Sequence, residues 1–124
     1  MPNHKIAVIK GDGIGVDVVN EGIKVLDALA PRYGINWEYT EFNWSSDYYF
    51  EHGKMMPDDA LESLEPFNAV FLGAVGHPDI QDNITLDGLL LPIRRRFDQY
   101  ICLRPSVLYP GVKSPLAGKK PYDI

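Results

Sequence analysis

Lys5-Ile6-Ala7-Val8-Ile9-Lys10-Gly11-Asp12-Gly13-Ile14-Gly15 decides the fold class. The stretch from Lys5 to Ile9 is a short apolar run, halted by glycines at every second position, and it reads as a buried strand running into a tight turn. Beyond the turn, Val18, Gly22, Val25, Leu26 and Leu29 recur three or four apart, the spacing of one helix face. Pro31 and Gly34 are its stop signals. Strand, glycine turn and helix in succession form the opening unit of an α/β fold.

Working outward, Ile35, Trp37 and Tyr39 alternate with Asn36, Glu38 and Thr40, which predicts a strand near a sheet edge with one face covered. Ser45 or Ser46 is a candidate cap for a short helix carrying Tyr48, Tyr49 and Phe50, closed by Gly53. Pro57-Asp58-Asp59 marks a further helix start, with Leu61 and Leu64 on its inner face. Ala69-Val70-Phe71-Leu72 is apolar throughout, as expected of a strand buried on both faces. After Gly73-Ala74-Val75-Gly76 and a polar loop, Leu86, Leu89, Leu90, Ile93 and Phe97 return to helical spacing, with Thr85 as a candidate cap. Pro92 interrupts that helix, so its regular part is expected to begin near Leu90. Ile101-Cys102-Leu103 is a short strand candidate ending at Arg104-Pro105. The remainder, with Pro110, Gly111, Pro115, Gly118 and Pro121, reads as loop. Alternating strands and helices predict a sheet with parallel pairs, and the irregular tail leads us to expect part of a longer protein.

The 124 residues carry 12 Lys and Arg against 17 Asp and Glu, a net charge of −5. That balance disfavours a nucleic-acid partner, since phosphate binding rests on dense positive surfaces. Cys102 stands alone, so neither a disulfide framework nor a Cys-x-x-Cys metal site is expected, which fits a cytoplasmic protein. No leader pattern and no apolar run near the ~20 residues of a membrane span occurs, so no membrane partner is expected.

Two groups of residues are candidates for chemistry. A strand, a glycine loop and a helix start can offer backbone N–H groups to an anion. Here, however, the spacing misses the dinucleotide fingerprint, because Val16 follows Gly15 and no third glycine stands where it is needed. No P-loop lysine is present, and Asp12 would repel a phosphate. Spacing alone therefore favours a structural turn. The second group is Arg94, Arg95, Arg96 and Arg104. At 100° per residue, Arg94 lies about 40° around the helix from Leu90, closer to the apolar stripe than its two neighbours. A guanidinium leaning inward needs an anion, whereas a solvated arginine favouring the helix dipole needs none; both readings stand. Arg104 ends a strand candidate, where ligands of open α/β sheets gather. Two guanidiniums meeting there would suit a di-acid, and a surface salt bridge is the alternative. His4, His52 and His77 define neither a base nor a metal site, and Asp79, Asp82, Asp87 and Asp98 read as solvated charges.

With these residues in view, the chain from about Lys5 onward resembles the β-decarboxylating hydroxyacid dehydrogenases: the isocitrate, isopropylmalate, tartrate and D-malate enzymes. KIAVIKGDGIG resembles the family's opening strand and loop, and LLLPIRRRFDQYICLRP its arginine-bearing helix. The resemblance implies an isopropylmalate dehydrogenase-like mixed sheet with flanking helices, of which only the N-terminal part is present. Residues 1–99 would belong to the larger, cofactor-side domain, and 100–124 would cross into a second domain. It implies substrate-binding roles for Arg94 and Arg104 on a carboxylate and for Leu90 on the variable substituent. Ile14, Val75 and Gly76 would line the nicotinamide cleft.

The implied reaction is oxidation of a small 2-hydroxy diacid by NAD, then decarboxylation aided by Mg²⁺ or Mn²⁺ acting as a Lewis acid. The implied assembly is a homodimer. NWSSDYY, HGKMMPDDAL, FLGAVGHPD and LRPSVLYPGVKSPLAGKKPYDI look most like the tartrate/D-malate branch. Gly88 and Leu90 replace the Ser and Asn of the isocitrate branch, while Leu90 keeps 3-isopropylmalate as the alternative substrate. His77 and Asp87 stand where the tartrate/D-malate branch has Trp, and Cys102 where it has Asn. The family's third arginine, catalytic Tyr and Lys and metal-binding aspartates would all lie beyond Ile124, so no catalytic or metal-ligating residue is assigned within this chain. A reading of another class is a non-catalytic α/β module that binds a di-acid or a nucleotide.

Overall fold

The structure, a computed structural model, describes residues 2–115. Its strands are β1 (Asn3–Gly11), β2 (Asn36–Glu41) and β3 (Ala69–Ala74), all parallel, in the order β2-β1-β3. Asn3 pairs with Asn36, and Ile6 with Ala69. β1 is therefore central, and its residues Ile6 to Ile9 are all buried. Successive strand residues point to opposite faces. Ile6 and Val8 join Val19 on one side, while Ala7 and Ile9 join Trp44, Met55, Leu64, Leu89 and Ile93 on the other. Burial on both faces is why the run shows no polar alternation.

Helix α1 (Ile14–Tyr33) covers the Ile6/Val8 face, and Gly34 closes it in the left-handed conformation at φ 63°. Of the expected stripe, Gly22, Leu26 and Leu29 are half-buried, but the deepest contacts fall elsewhere. Val19 is fully buried and Ile23 packs beside it, while Val18 and Val25 are exposed. Gly15 sets this rotation. A Cβ there would lie 2.5 Å from both Ala74 N and Lys10 O, so the bare side of Gly15 must face the sheet, and positions four, seven and eight residues on follow it inward. Gly22, common to both stripes, lies against the Phe71 ring.

The Ala7/Ile9 face is covered by shorter elements: α2 (Ser46–His52), α3 (Ala60–Leu64), and a helical run made of α4 (Asp82–Thr85), a π-helical turn (Leu86–Leu90) and α5 (Leu91–Arg96). Thr85 does not cap this run, which already starts at Asp82, and its hydroxyl donates back to Asp82 O at 2.9 Å. The regular α-helix through the arginines does begin at Leu91, next to the expected Leu90, but a short helical turn from Asp82 and a π-turn lead into it. In an α-helix the Pro92 ring would crowd the Gly88 carbonyl and offer it no N–H. Here the turn before it widens, and Leu91 N–H donates to Leu86 O five residues back, so the run absorbs the proline in a π-bulge. Leu89 and Ile93 are buried by this arrangement, and Gly88 leaves room for Met55, whose Cγ a Cβ would meet at 2.7 Å.

Two strand expectations are corrected. β3 is half-buried rather than covered on both faces, because it is the outer strand of the described sheet. Ile101-Cys102-Leu103 has no regular secondary structure. A strand needs a neighbour for its N–H and C=O groups, and no described residue supplies one. Gly118 and Pro121, expected in loop, lie outside the described residues, as do the last residues of the predicted domain crossing.

Candidate functional site

Parallel strands β1 and β3 end side by side, and the loops leaving them are joined. Asp12 N–H donates to Ala74 O at 2.7 Å, and Gly15 N–H to Asp12 O at 2.8 Å. The approach is so close that a Cβ on Gly11 would lie 1.9 Å from Ala74 O, and Gly11 takes φ 78°, both of which require glycine. The turn reading of the glycine loop is thus correct as local structure. The same turn brings together the loops that carry the cofactor-cleft candidates. Ile14 is 66% exposed at the start of α1, Val75 packs half-buried on the core, and Gly76 is exposed with open space where a Cβ would stand.

The side chain of Asp12 was not singled out from the sequence as a structural group, yet it is the hub of this corner. Oδ1 accepts from Ser46 N–H at 3.1 Å, and Oδ2 from the Ser46 hydroxyl at 2.6 Å and from Gly76 N–H at 2.9 Å. Burial by itself would raise its pKa, but the Ser46 and Ser45 hydroxyls and the Gly76 and Ser46 amides outweigh that and hold it below the ordinary value of 3.8. Ser45, expected as a cap of α2, makes no cap bond. Its buried hydroxyl makes no hydrogen bond of ordinary length among the described residues, though it lies near enough to be felt by the carboxylate. The cap comes instead from a residue 34 positions earlier. No local pattern around residue 46 signals a cap so distant in the chain.

The arginines separate. Arg96 pairs with Glu65, and Arg95 is exposed. Arg94 is half-buried and lines a hollow of about 210 Å³ with Leu91, Arg95, Asp98, Gln99 and Tyr100. Leu90, half-buried, ends the π-turn one helical turn before it. Arg104 is exposed and donates from Nε to Cys102 Sγ at 3.4 Å. That hydrogen bond first, then the charges of Arg104 and Arg94, lower the Cys102 pKa against the opposing effect of burial. Arg104 is not part of the wall of the Arg94 hollow, so the described structure does not bring the two guanidiniums into one cavity. Among the described residues neither forms an ion pair with a carboxylate.

Several candidates have structural places. His4 leans on Trp37, His52 stacks on Tyr48 at 4.1 Å between ring centres, and His77 meets the Phe50 ring edge-on at 5.1 Å. A larger hollow of about 630 Å³, lined in part by Lys10, Glu41, Trp44, Tyr48 and His52, lies at the ends of β1 and β2, and none of Arg94, Arg104, Leu90, Ile14, Val75 and Gly76 lines it. Its size reflects the gap beside α2 rather than convergent chemistry; Lys10 and Glu41 in its wall already pair at 2.8 Å. Among the described residues no group of three His, Cys, Asp or Glu could hold a metal ion, so the Mg²⁺ or Mn²⁺ of the resemblance does not fit this part of the protein. No described helix is long and apolar enough to cross a membrane.

Comparison with known proteins gives a consistent picture. The family model described as isocitrate/isopropylmalate dehydrogenase matches residues 5–124. A D-malate dehydrogenase [decarboxylating] of Escherichia coli (strain K12) is 54% identical, and a tartrate dehydrogenase/decarboxylase of Pseudomonas putida 52%; each alignment takes in all of this chain and 35% of the relative. A 3-isopropylmalate dehydrogenase of Thermobifida fusca is 48% identical over 97% of the chain and 34% of its own length. The chain thus spans about a third of the length of these relatives. The crystal structure of a β-decarboxylating dehydrogenase from Thermococcus kodakarensis, in its apo form, aligns over 78% of this chain and 27% of its own, with a TM-score of 0.59 and 31% identity.

Proposed function

The chain belongs to the isocitrate/isopropylmalate dehydrogenase family, and from that membership we propose that the protein oxidises and decarboxylates a small 2-hydroxy diacid, D-malate or tartrate, with NAD as oxidant. The observation that carries the reading is Arg94, half-buried in the wall of a hollow and, like Arg104, without a carboxylate partner among the described residues. An unpaired, partly buried guanidinium such as Arg94 is stabilised by an anion, and a hydroxy diacid supplies one at each end. Names and identities of the relatives support the choice of branch.

In this reading the residues of the chain bind and orient. Arg94 and Arg104 hold the carboxylate next to the reacting carbon by paired N–H donors. Leu90 meets the substituent on the neighbouring carbon. The loops at Ile14 and at Val75-Gly76, side by side at the carboxyl ends of β1 and β3, would line the nicotinamide cleft, where ligands of open α/β sheets gather. Bound NAD would supply the two-electron, hydride-accepting chemistry that turns the hydroxyl carbon into a ketone, whose β-carboxylate could then be lost as CO2. Residues 1–99 form part of the cofactor-side domain and 100–124 lead into a second one. The enzyme is a cytoplasmic homodimer without nucleic-acid or membrane partners, in keeping with a net charge of −5 and a lone Cys102.

The alternative substrate is 3-isopropylmalate, favoured by the half-buried apolar side chain of Leu90 and by the T. fusca relative. The test is NADH formation by the complete enzyme, the polypeptide carrying these residues at the length of its relatives, with Mn²⁺ and each of D-malate, tartrate and 3-isopropylmalate. Turnover of either of the first two above the third supports the proposal. No turnover with any of them, nor with isocitrate, overturns it and leaves a non-catalytic binding module.

A further inference from the structure

The Asp12 carboxylate draws on three donors from two distant segments, Ser46 on α2 and Gly76 after β3, while its own main chain is bonded to Ala74. The β1 turn and the β3 exit cannot drift together or apart freely. Gly11 and Gly15 already stand at backbone contact with Ala74. Beyond that contact the chain at Gly76 has open space around it, and the bond from its N–H to Asp12 Oδ2 ties it back to the turn. Ile14 sits two residues after Asp12 on the other side of the same corner. One carboxylate therefore sets how the Ile14 side and the Gly76 side of the corner stand relative to each other.

We infer that Asp12 is a positioning residue for the dinucleotide, latching the Gly76 loop to the glycine turn so that both present a preformed surface to the cofactor. This rests on the dehydrogenase reading, in which those two loops line the nicotinamide cleft. The charged form of the side chain is required by donor count. Oδ1 faces one backbone N–H and Oδ2 another, and both can only donate. An asparagine has one acceptor oxygen, so whichever way its amide turns, either Ser46 N–H or Gly76 N–H faces an NH₂ group. The hydroxyl of Ser46 can rotate to suit, but a backbone amide cannot. Preorganising a loop lowers the ordering that binding must otherwise supply, so the consequence falls on cofactor affinity more than on the chemical step.

The test compares Asp12→Ala and Ser46→Ala with the unsubstituted complete enzyme in steady-state kinetics and in direct titration of the dinucleotide. Alanine is used because an asparagine with its oxygen turned to Gly76 N–H would keep the latch. Asp12→Ala is expected to raise the dinucleotide KM and Kd by about tenfold or more, the scale of one lost hydrogen bond to a charged group, with kcat and the hydroxyacid KM within about threefold. Ser46→Ala keeps the Gly76 bond and is expected to leave both dinucleotide constants within about twofold. An Asp12→Ala enzyme that folds and keeps its dinucleotide constants overturns the inference, as does an equal effect of Ser46→Ala, which would place the effect in α2. If Asp12→Ala does not fold, deuterium exchange of segment 73–77 in the unsubstituted enzyme decides: slow exchange without ligand supports the latch, and rapid exchange overturns it. An unsubstituted enzyme that neither binds nor reduces the dinucleotide overturns the dehydrogenase reading and this inference together. Indifference to Asp12→Ala in an active enzyme overturns this inference alone.

Discussion

Asp12 grips Ser46 twice, accepting its backbone N–H on one carboxylate oxygen at 3.1 Å and its hydroxyl on the other at 2.6 Å. The pair joins residues 34 positions apart and gives α2 the cap its own serines do not provide. Ser46 is 1% exposed, so its hydroxyl has little water to turn to if the bond is lost. Ser46→Ala is expected to destabilise the fold by about 1.5 kcal/mol, the low end for a bond to a charged acceptor, since the carboxylate keeps part of its hydration. Urea unfolding of the complete enzyme measures it, and an unchanged midpoint would show that the bond contributes nothing beyond what water offers.

The same carboxylate makes the corner acid-sensitive. Its donors hold the folded-state pKa below 3.8, so the unfolded chain takes up the proton first as pH falls. The stabilisation is complete above the ordinary carboxylate value and is lost as pH falls through the lowered one. Unfolding midpoints measured from about pH 6 down to about pH 3 should therefore fall less steeply at the acid end in Asp12→Asn than in the unsubstituted protein. Parallel curves would mean that other carboxylates, not Asp12, set the acid limb.

Two glycines that look alike in sequence are held for different reasons, and their alanine variants should differ in cost. Gly15 has an ordinary backbone conformation, but its Cβ would meet two backbone atoms at 2.5 Å. Backbone cannot rotate away as a side chain can, so Gly15→Ala is expected to cost about 3 kcal/mol or more. Gly34 has open space around it and a φ of 63°, so Gly34→Ala incurs only the left-handed penalty of about 1–2 kcal/mol. Thermal unfolding of both variants checks the order; equal costs would refute the close-contact account.

The part of this architecture legible in sequence is the part written locally. KIAVI followed by alternating glycines announced β1 and its turn, and the alternation at Ile35, Trp37 and Tyr39 announced an edge strand, because strand periodicity and glycine turns are short-range signals. The rotation of α1 was not legible. Val18 and Val25 make as good an apolar stripe as Val19 and Ile23, and the choice between them is made by Gly15 touching Ala74, a contact across 59 residues. The same holds for the role of Asp12, whose partners lie 34 and 64 positions away. Pro92 is legible as an obstacle, but the sequence does not say whether a helix will end or bulge there; packing of Leu89 and Ile93 into the core favours the bulge. The arginines are legible as residue types, while the bond of Arg104 to Cys102 and the absence of Arg104 from the Arg94 hollow are not.

The Arg104 contact predicts a reactive thiol at Cys102. Cys102 is exposed, and the Arg104 hydrogen bond, followed by the charges of Arg104 and Arg94, lowers its pKa. Arg104→Gln should therefore shift the midpoint of the pH profile for iodoacetamide alkylation upward, toward that of a free cysteine, since the thiolate is the reacting form. Arg94→Gln should shift it in the same direction by less. A profile that ignores both substitutions would place the thiol out of reach of either guanidinium.

Arg94→Lys is the sharpest test of the substrate reading. Arg94 is half-buried on α5 and lines a hollow with Leu91, Asp98 and Tyr100, and no carboxylate among the described residues forms an ion pair with it. Lysine keeps the charge and the helix but loses the flat fork that matches a carboxylate with two parallel bonds. If Arg94 serves only as a solvated charge at the end of α5, lysine replaces it at no cost in catalysis. If it grips the substrate, kcat/KM for the hydroxy diacid should fall by at least about tenfold while the unfolding midpoint stays within experimental scatter. The two readings thus part on one measurement, and unchanged kcat/KM in a folded Arg94→Lys enzyme would remove Arg94 as the basis of the proposed function.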